Sequence, residues 1–343
     1  MKEIFVKDLS SGKRIQGVFF VKNKVMAIDR QGKPYLIVLL SDKTGDVEAR
    51  LWENVEHFSK LFEVNDVVMI DGWTQTYQGK LQIKLIKIMR SEEEWNFEDF
   101  FPGRRREKKE LIREFNALFN MYLRDVYLIE LVDLFLKDQD FMEKFLTVPA
   151  AKSLHHAYIG GLAEHTLSVM KAVVKLSEHY RRFYGESFNH EVALVGAFLH
   201  DVGKIKELSY EKSFNYTDEG RLLGHIIQGI QMVDEKIKSI KGFPELLRLH
   251  ILHIIASHHG NYEFGSPKRP KTIEALIVHY ADDLDSKIES FHSHMKEIRD
   301  TSDDRWTGYL KHYDRFLFVE PYESSELEPS ESTQLEFFSD FDE

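Results

Sequence analysis

The sequence predicts a chain of two folded parts, an all-β barrel followed by an all-α bundle. Short apolar runs with period-two alternation, separated by glycine-containing turns, fill roughly the first 90 residues. From residue 107 onward, apolar residues recur at helical spacing. Residues 320–343 hold nine acids and no Lys or Arg, so we expect this stretch to be disordered.

These patterns divide the 343 residues into four segments. We expect a barrel over 1–92, a helical connector over 93–149, a helical domain that carries the chemistry over 150–318, and a disordered acidic tail over 319–343. The hydrophobic content of 43% is enough for real cores.

Composition limits the compartment and the partners. The absence of Cys excludes a disulfide framework and thiolate metal sites, and it fits a reducing cytoplasm. No signal-peptide pattern opens the chain, and no apolar run reaches the ~18 residues of a membrane span. The net charge is −11, but it is −2 without the nine acids of the tail. We therefore expect a cytoplasmic protein with no membrane partner, and nucleic acid is not excluded.

Five runs of strand-forming residues account for the predicted barrel. They cover residues 17–21, 35–40, 47–52, 67–72 and 81–86. Five strands in about 90 residues suit a barrel of the oligonucleotide-binding (OB) kind, with a bend or a bulge in the longer strands. The segment from Asp42 to Trp52 also resembles a hairpin of nucleic-acid-binding OB-folds.

Aromatic and basic residues of this barrel are candidates for nucleic-acid contacts, because rings stack on bases and cations follow phosphates. The candidates are Phe19, Tyr35, Arg50, Trp52, Trp73, Tyr77 and Lys80. The alternative is that the aromatic residues simply fill the barrel. Residues 1–95 hold 15 basic and 14 acidic side chains, so binding would depend on local patches and stacking.

The connector is predicted to be helical. Apolar residues from Leu111 to Leu123 keep helical spacing, and further helices are expected over 128–136 and 140–146.

A buried helix that ends in His200-Asp201 is the centre of the predicted chemistry. The run Val192–Leu199 is apolar almost all round, and Gly203 just past it is typical of a helix stop. An imidazole beside a carboxylate can bind one metal ion. The alternative is an ordinary histidine followed by an aspartate that hydrogen-bonds to a helix end.

Other histidines lie in apolar surroundings that would not normally select them. His165 shares a helical face with Leu162 and Val169, and a buried histidine needs a metal or a hydrogen-bond partner. In chain order the set is His165, His200-Asp201, His225, His258-His259 and Asp282. This ordered set resembles the signature of the HD superfamily of metal-dependent phosphohydrolases, which are helical bundles.

The resemblance implies a first metal site that consists of His165, His200, Asp201 and Asp282. It implies a second site with His225 and His258, with His259 as the alternative to His258 and Asp201 as the bridge. Two ions about 3.5–4 Å apart could hold a phosphodiester and generate hydroxide from water. All-N/O ligation suits Mn²⁺, Co²⁺, Fe²⁺ or Zn²⁺.

Asp201 and Lys204 are the predicted catalytic residues. Lys204 would neutralise a phosphate oxygen or charge that develops in the transition state, unless it is a surface lysine at a helix end. The loop His259–Pro270 is expected to form a substrate rim, where Lys268 and Arg269 are available to phosphate.

Longer motifs narrow the resemblance to one family. The stretches are HHAYIGGLAEHT, FLHDVGK, GRLLGHI, SHHGNYEFGSPKRPKT and HYADDLDSK. Together with a barrel ahead of them, they resemble the bacterial YhaM family of 3′-5′ exoribonucleases over residues 1–318. The resemblance implies Mn²⁺ or Co²⁺ dependence, release of nucleoside monophosphates from single-stranded RNA, some activity on single-stranded DNA, and a homo-oligomer.

Two rival functions stay open. One is hydrolysis of small nucleotides such as dNTPs or cyclic nucleotides, which would not need the barrel. The other is a non-catalytic adaptor that binds single strands.

Overall fold

The computed structural model describes residues 2–92, 95–96, 99–101, 106–150, 158–209, 215–301 and 304–321. The chain divides into two compact units, residues 1–289 and 290–343. Most of the acidic tail that is predicted to be disordered, residues 322–343, lies outside the described residues. Within those ranges, no helix has the length and apolarity needed to cross a membrane.

Five strands close into the predicted barrel, with neighbours in the order β1-β2-β3-β5-β4. The β3–β5 pair is parallel, and the other pairs are antiparallel. The strands are β1 (Arg14–Ile28), β2 (Pro34–Asp42), β3 (Gly45–Leu51), β4 (Val67–Tyr77) and β5 (Lys80–Arg90), and the short helix α1 (Val55–Phe58) follows β3. The fold class expected for this part of the chain is confirmed.

Two irregularities explain where the strands depart from the expected runs. Strand β1 is long because its first half pairs with β4 and its second half with β2, with a register shift between Val21 and Asn23. A second shift, between β4 and β5, leaves Ile86 unpaired and exposed, although the apolar pattern continues through it. Phe19 is fully buried in the barrel core, so its interpretation as a base-stacking residue was wrong.

The rest of the first unit is a helical bundle, whose last helix continues into the second unit. Its helices are α2 (Lys108–Tyr122), α3 (Val126–Leu136), α4 (Gln139–Phe145), α5 (Gly161–Tyr184), α6 (His190–Leu199), α7 (Lys204–Glu207), α8 (Asp218–Ser239), α9 (Glu245–Ser257) and α10 (Ile273–Thr301). A two-stranded hairpin, β6 (Leu208–Ser209) and β7 (Asn215–Tyr216), separates α7 from α8.

Phe198 of α6 lies at the centre of an aromatic cluster. Its ring centroid is 5.2–6.1 Å from those of Phe119, Phe145, Phe115 and Phe135, which lie on α2, α3 and α4. Helix α6 is apolar all round because the other helices cover it on every side. The predicted connector thus shares the core that holds α6, and with it the His200-Asp201 pair.

The barrel contacts the bundle through a small apolar cluster. Phe20 and Val67 of the barrel pack with Phe100, Phe101 and Ile159. Ile159 lies two residues before α5, so this cluster fixes the barrel close to the start of the helix that carries His165.

The second unit contains the end of α10 and a short antiparallel segment. Trp306 pairs with Phe318 and Leu310 with Arg315, and the Arg299 guanidinium donates to the Val319 carbonyl.

Candidate metal centre and nucleic-acid interface

Asp201 lies between two pairs of histidines. It follows the end of α6 and is buried. Its Oδ2 atom is 3.6 Å from His165 Nε2 and 3.4 Å from His200 Nε2. Its Oδ1 atom is 3.5 Å from His225 Nε2 and 3.5 Å from His258 Nε2. Each carboxylate oxygen therefore faces a different pair of imidazole rings.

Two groups of potential ligands surround this carboxylate. The first is His165 on α5, His200 after α6 and Asp282 on α10, and the second is His225 on α8 with His258 and His259 after α9. In each group the ligand atoms lie within 4.8 Å of one another. The Asp282 Oδ1 atom is 3.1 Å from His165 Nε2 and 3.7 Å from His200 Nε2.

Both members of the His258-His259 pair join the second group. Sequence reasoning expected only one, with His258 preferred. His258 is the ring that faces Asp201, while His259 lies beside it with ring centroids 4.4 Å apart.

The other ring nitrogen of each histidine is held by an oxygen. The Nδ1 atoms of His200, His258 and His259 donate to the carbonyls of Ala197 (2.7 Å), Ile255 (2.8 Å) and Phe264 (2.9 Å). The Nδ1 atoms of His165 and His225 contact carboxylates of Asp285 (2.8 Å) and Glu207 (3.1 Å). Since Nδ1 donates a proton in each contact, Nε2 is the ring atom that can bind either a second proton or a metal ion.

The residues of this site fit a divalent metal. The Nε2 atoms of His200, His225 and His258 and the Asp201 Oδ1 atom are buried without a hydrogen-bond partner in the described part of the chain. Burial of polar atoms without partners is costly unless something else satisfies them. A set of imidazole nitrogens and carboxylate oxygens, with no thiolate, suits a divalent transition metal.

The electrostatics of the site favour a cation. Burial alone would raise the pKa of Asp201, but Lys204 and His200 outweigh it and hold that pKa well below its usual range. Burial would lower the pKa of His200, yet Asp201 and Asp282 raise it to about 10. Burial, with the neighbouring rings of His258 and His225, lowers the pKa of His259 to about 3, so this ring is neutral, as metal ligation requires.

Lys204 is not a surface lysine. Its Nζ atom lies 2.6 Å from Asp201 Oδ2, and its side chain is largely buried. Burial would lower the pKa of Lys204, but Asp201 raises it, so the ammonium group stays charged beside the ligand cluster.

Gly203 was predicted to mark a helix stop, and α6 does end shortly before it, at Leu199. The φ of Gly203, −63°, is helical, and this residue precedes α7. A Cβ atom at this position would lie 1.9 Å from the His225 carbonyl oxygen. Glycine is therefore required because α8 packs directly against the backbone that follows Asp201.

Two carboxylates that orient ligands, Asp285 and Glu207, lie outside the predicted ligand set. Asp285 contacts His165 Nδ1 and accepts from Ser168 Oγ. Asp285 lies three positions after Asp282 on the same helix, and this spacing indicates that the two carboxylates share a face. Glu207 contacts His225, and no sequence pattern indicated it.

The predicted nucleic-acid residues of the barrel form an outer surface. Tyr35 and Trp52 stack with ring centroids 4.3 Å apart, and the Arg50 guanidinium lies 5.8 Å from the centroids of Tyr35 and Tyr77. Trp52 and Tyr77 are exposed, and none of these rings belongs to the cluster that fills the barrel core. Arg50 also pairs with Glu48 at 2.7 Å, which reduces its positive field.

Trp73 and Lys80 extend the same surface. Arg50 pairs across the sheet with Lys84, and Lys84 pairs with Trp73, so the three side chains share one face. Lys80 lies opposite Tyr77 at the β4–β5 turn. We call the surface of Tyr35, Arg50, Trp52, Trp73, Tyr77 and Lys80 the barrel face.

Lys268 and Arg269 lie in the exposed loop between His259 and α10. The Arg269 guanidinium is 5.0 Å from the ring centroid of Tyr262. The structure thus places two cations in a loop that begins at a histidine of the second group.

Comparison with known proteins agrees with both parts of the fold. Residues 14–89 match the family described as an OB-fold nucleic acid binding domain, and residues 162–287 match the HD domain. The 3′-5′ exoribonuclease YhaM of Geobacillus sp. (strain WCH70) is 32% identical over 84% of this chain and 87% of its own length. The protein of the same name from Bacillus subtilis (strain 168) is 31% identical over 84% of this chain and 90% of its own length.

Proposed function

Because the chain belongs to the YhaM family of metal-dependent 3′-5′ exoribonucleases, we propose that it shortens single-stranded RNA from the 3′ end and releases nucleoside monophosphates. One water is consumed for each nucleotide removed. The water oxygen bonds to phosphorus, and the bond between phosphorus and the 3′ oxygen of the remaining strand breaks. That 3′ oxygen takes a proton, and the released nucleotide keeps the phosphate on its 5′ oxygen.

The observation that carries this proposal is the position of Asp201 between the two histidine groups. A carboxylate with each oxygen directed at a separate pair of imidazoles suits the bridging ligand of two ions. We propose His165, His200, Asp201 and Asp282 as ligands of the first ion, and His225, His258, His259 and Asp201 as ligands of the second.

Bound divalent metal would supply a Lewis acid for the phosphate and lower the pKa of attacking water. The protein's own residues do the remaining work. The oxygens that hold each Nδ1 atom keep the five rings in one tautomer. Lys204, charged and fixed against Asp201, is placed to stabilise negative charge on the phosphate. Lys268 and Arg269 are proposed to contact the phosphates of the strand.

We propose Mn²⁺ or Co²⁺ as the metal, since five imidazoles and two carboxylates are harder donors than thiolates. Fe²⁺ and Zn²⁺ are the alternatives that the same donors accept. A homo-oligomeric assembly, a cytoplasmic location and activity on single-stranded DNA stay predictions.

The barrel face is proposed to hold the strand while its 3′ end reaches the metal centre. Exposed rings next to Arg50 can stack on bases of any sequence. A hydrolase of small nucleotides would not use this face, and a non-catalytic adaptor would not need the two ligand groups.

The test is cleavage of a 5′-labelled single-stranded RNA in Mn²⁺, with products resolved over time. The wild-type chain should produce a ladder that shortens from the 3′ end, and Asp201→Ala and Asp282→Ala should abolish it. Asp283→Ala is the matched control, because Asp283 is the neighbour of Asp282 but pairs with Lys287 at 2.6 Å. RNA binding without cleavage in Mn²⁺, Co²⁺ or Zn²⁺ would favour the adaptor, and hydrolysis of nucleotides alone would favour the other rival.

A further inference from the structure

The loop after His259 connects an exposed aromatic ring to the metal centre. His259 Nδ1 donates to the Phe264 carbonyl at 2.9 Å, and His259 belongs to the second ligand group. The backbone of Phe264 is therefore one hydrogen bond away from a ring of the proposed centre.

Several hydrogen bonds connect this loop to itself and to α9. Tyr262–Phe264 forms a 3-10 turn, closed by Gly265 at φ +80°. The Ser266 hydroxyl donates to the Lys268 carbonyl at 2.7 Å, and the Lys268 backbone N–H donates to the Ala256 carbonyl at 3.2 Å. The Lys271 backbone N–H donates to His253 Nε2 at 2.9 Å. These hydrogen bonds reduce the conformational entropy that the loop backbone would lose when a ligand binds.

The Phe264 side chain is left in solvent. It is 67% exposed, and no aromatic or cation–π contact to its ring occurs among the residues that the structure describes. Tyr262 is also exposed, but the Arg269 guanidinium covers it at 5.0 Å. Phe264 therefore offers an exposed π-face to a planar partner, on a loop whose first residue, His259, belongs to the second ligand group.

The charge of the loop selects an anionic partner. Residues 260–271 contain Lys268, Arg269 and Lys271 against one acid, Glu263, in a chain with a net charge of −11. A planar ring beside cations matches a nucleotide, which joins a flat base to a phosphate. An apolar protein partner would not explain the cations.

We propose that Phe264 is the stacking platform for the base of the 3′-terminal nucleotide. This inference rests on the proposed exoribonuclease function and extends it, because it assigns the subsite for the nucleotide that is released. Stacking accepts every base, so the platform would grip each new terminus in turn without sequence preference.

The test compares two RNA substrates under single-turnover conditions in Mn²⁺, with enzyme below saturation. One carries all its bases, and the other has an abasic 3′-terminal nucleotide. Phe264→Ala should slow removal of the normal terminal nucleotide roughly 5- to 150-fold, the range for loss of one base stack. It should change removal of the abasic nucleotide less than about twofold, because no base is present to stack.

Phe183→Ala is the matched control, since Phe183 is 69% exposed at the far end of α5. A second readout does not depend on cleavage. RNA with 2-aminopurine at its 3′ terminus, bound in EDTA, should lose fluorescence with the wild-type chain and Phe183→Ala but not with Phe264→Ala.

If Phe264→Ala slowed removal of both terminal nucleotides equally, or left the loss of 2-aminopurine fluorescence unchanged, Phe264 would not be the stacking platform. The proposed function would not be affected. If the wild-type chain cut no RNA, the proposed function would fail. The loss of 2-aminopurine fluorescence on binding would then be the only test of base stacking on Phe264. A loss of self-association in Phe264→Ala, with both RNA readouts unchanged, would assign the loop to a protein contact and also overturn the proposal.

Discussion

Glu207 Oε1 accepts hydrogen bonds from both the backbone N–H of His225, at 3.0 Å, and its ring Nδ1, at 3.1 Å. The backbone N–H is available because Gly224, at φ +70°, interrupts α8 immediately before His225. One carboxylate therefore caps the second half of a helix and sets the ring tautomer of a proposed metal ligand.

Glu207→Ala should weaken binding of the second ion about 10- to 100-fold, because loss of a ligand's orienting partner typically costs that much. Glu207→Gln should be milder, since its amide oxygen can still accept from both donors. A Mn²⁺ titration followed by electron spin resonance would measure stoichiometry and affinity. Glu263→Ala, in the exposed turn after His259, is the control. Unchanged Mn²⁺ affinity in Glu207→Ala would contradict the assigned role.

Metal should stabilise the folded chain. At free Mn²⁺ about 100 times its dissociation constant, the free energy of unfolding should rise by about 2.7 kcal/mol for each independent site. Asp201→Asn should lose most of this gain, because each Asp201 oxygen faces one of the two groups. Thermal unfolding with EDTA and with Mn²⁺ measures it, and Asp283→Asn is the control. If Mn²⁺ stabilised Asp201→Asn against thermal unfolding as much as it stabilised the wild-type chain, Asp201 would be excluded as a shared ligand.

The barrel and the bundle could be predicted because their signals are local. Period-two alternation and helical spacing depend only on neighbours in sequence, and the order of the histidines carried the resemblance. Departures occur where register or close packing decides. Ile86 is exposed because a bulge shifts the pattern, and Phe19 is buried because of its place in β1.

The supporting residues of the site were harder to predict. Glu207 reaches His225 only because the β6–β7 hairpin turns the chain back and Gly224 interrupts α8. The need for glycine at position 203 arises from α8, which follows 15 residues later. Neither relationship leaves a pattern in the sequence.

Lys2 should make the stability of the barrel depend on pH. Burial lowers the pKa of Lys2 to about 8 from an ordinary value of 10.5, although Asp42 opposes the shift. Its Nζ lies 3.6 Å from the Phe19 ring centroid and 3.3 Å from Asp42 Oδ2. Between these two values the unfolded chain binds the proton that the folded chain has lost, so the free energy of unfolding should rise with pH.

Lys2→Met removes this titration, so the wild-type chain should gain roughly 1–2 kcal/mol relative to the variant between pH 8 and 9.5. Urea unfolding at several pH values measures the difference. Lys7→Met replaces an exposed lysine, so its free energy of unfolding should depend on pH as that of the wild-type chain does. If the free energy of unfolding changed with pH in the same way for the wild-type chain and Lys2→Met, Lys2 would keep its proton over the whole pH range.

Trp52 should contribute to the grip on single-stranded RNA. One of its faces is stacked on Tyr35, and the side chain is still 42% exposed, so the outer face is available to a base. Trp52→Ala should weaken binding of a fluorescein-labelled RNA by about 1–3 kcal/mol, measured by anisotropy in EDTA. Hydrolysis of bis(p-nitrophenyl) phosphate in Mn²⁺ should not change, because that small substrate needs the metal centre and not the barrel face. Trp306→Ala removes an even more exposed tryptophan (56%) outside the barrel and should leave both measurements unchanged. If Trp52→Ala bound RNA as tightly as Trp306→Ala, the strand would have to be held elsewhere, and the rival reaction on small nucleotides would gain weight.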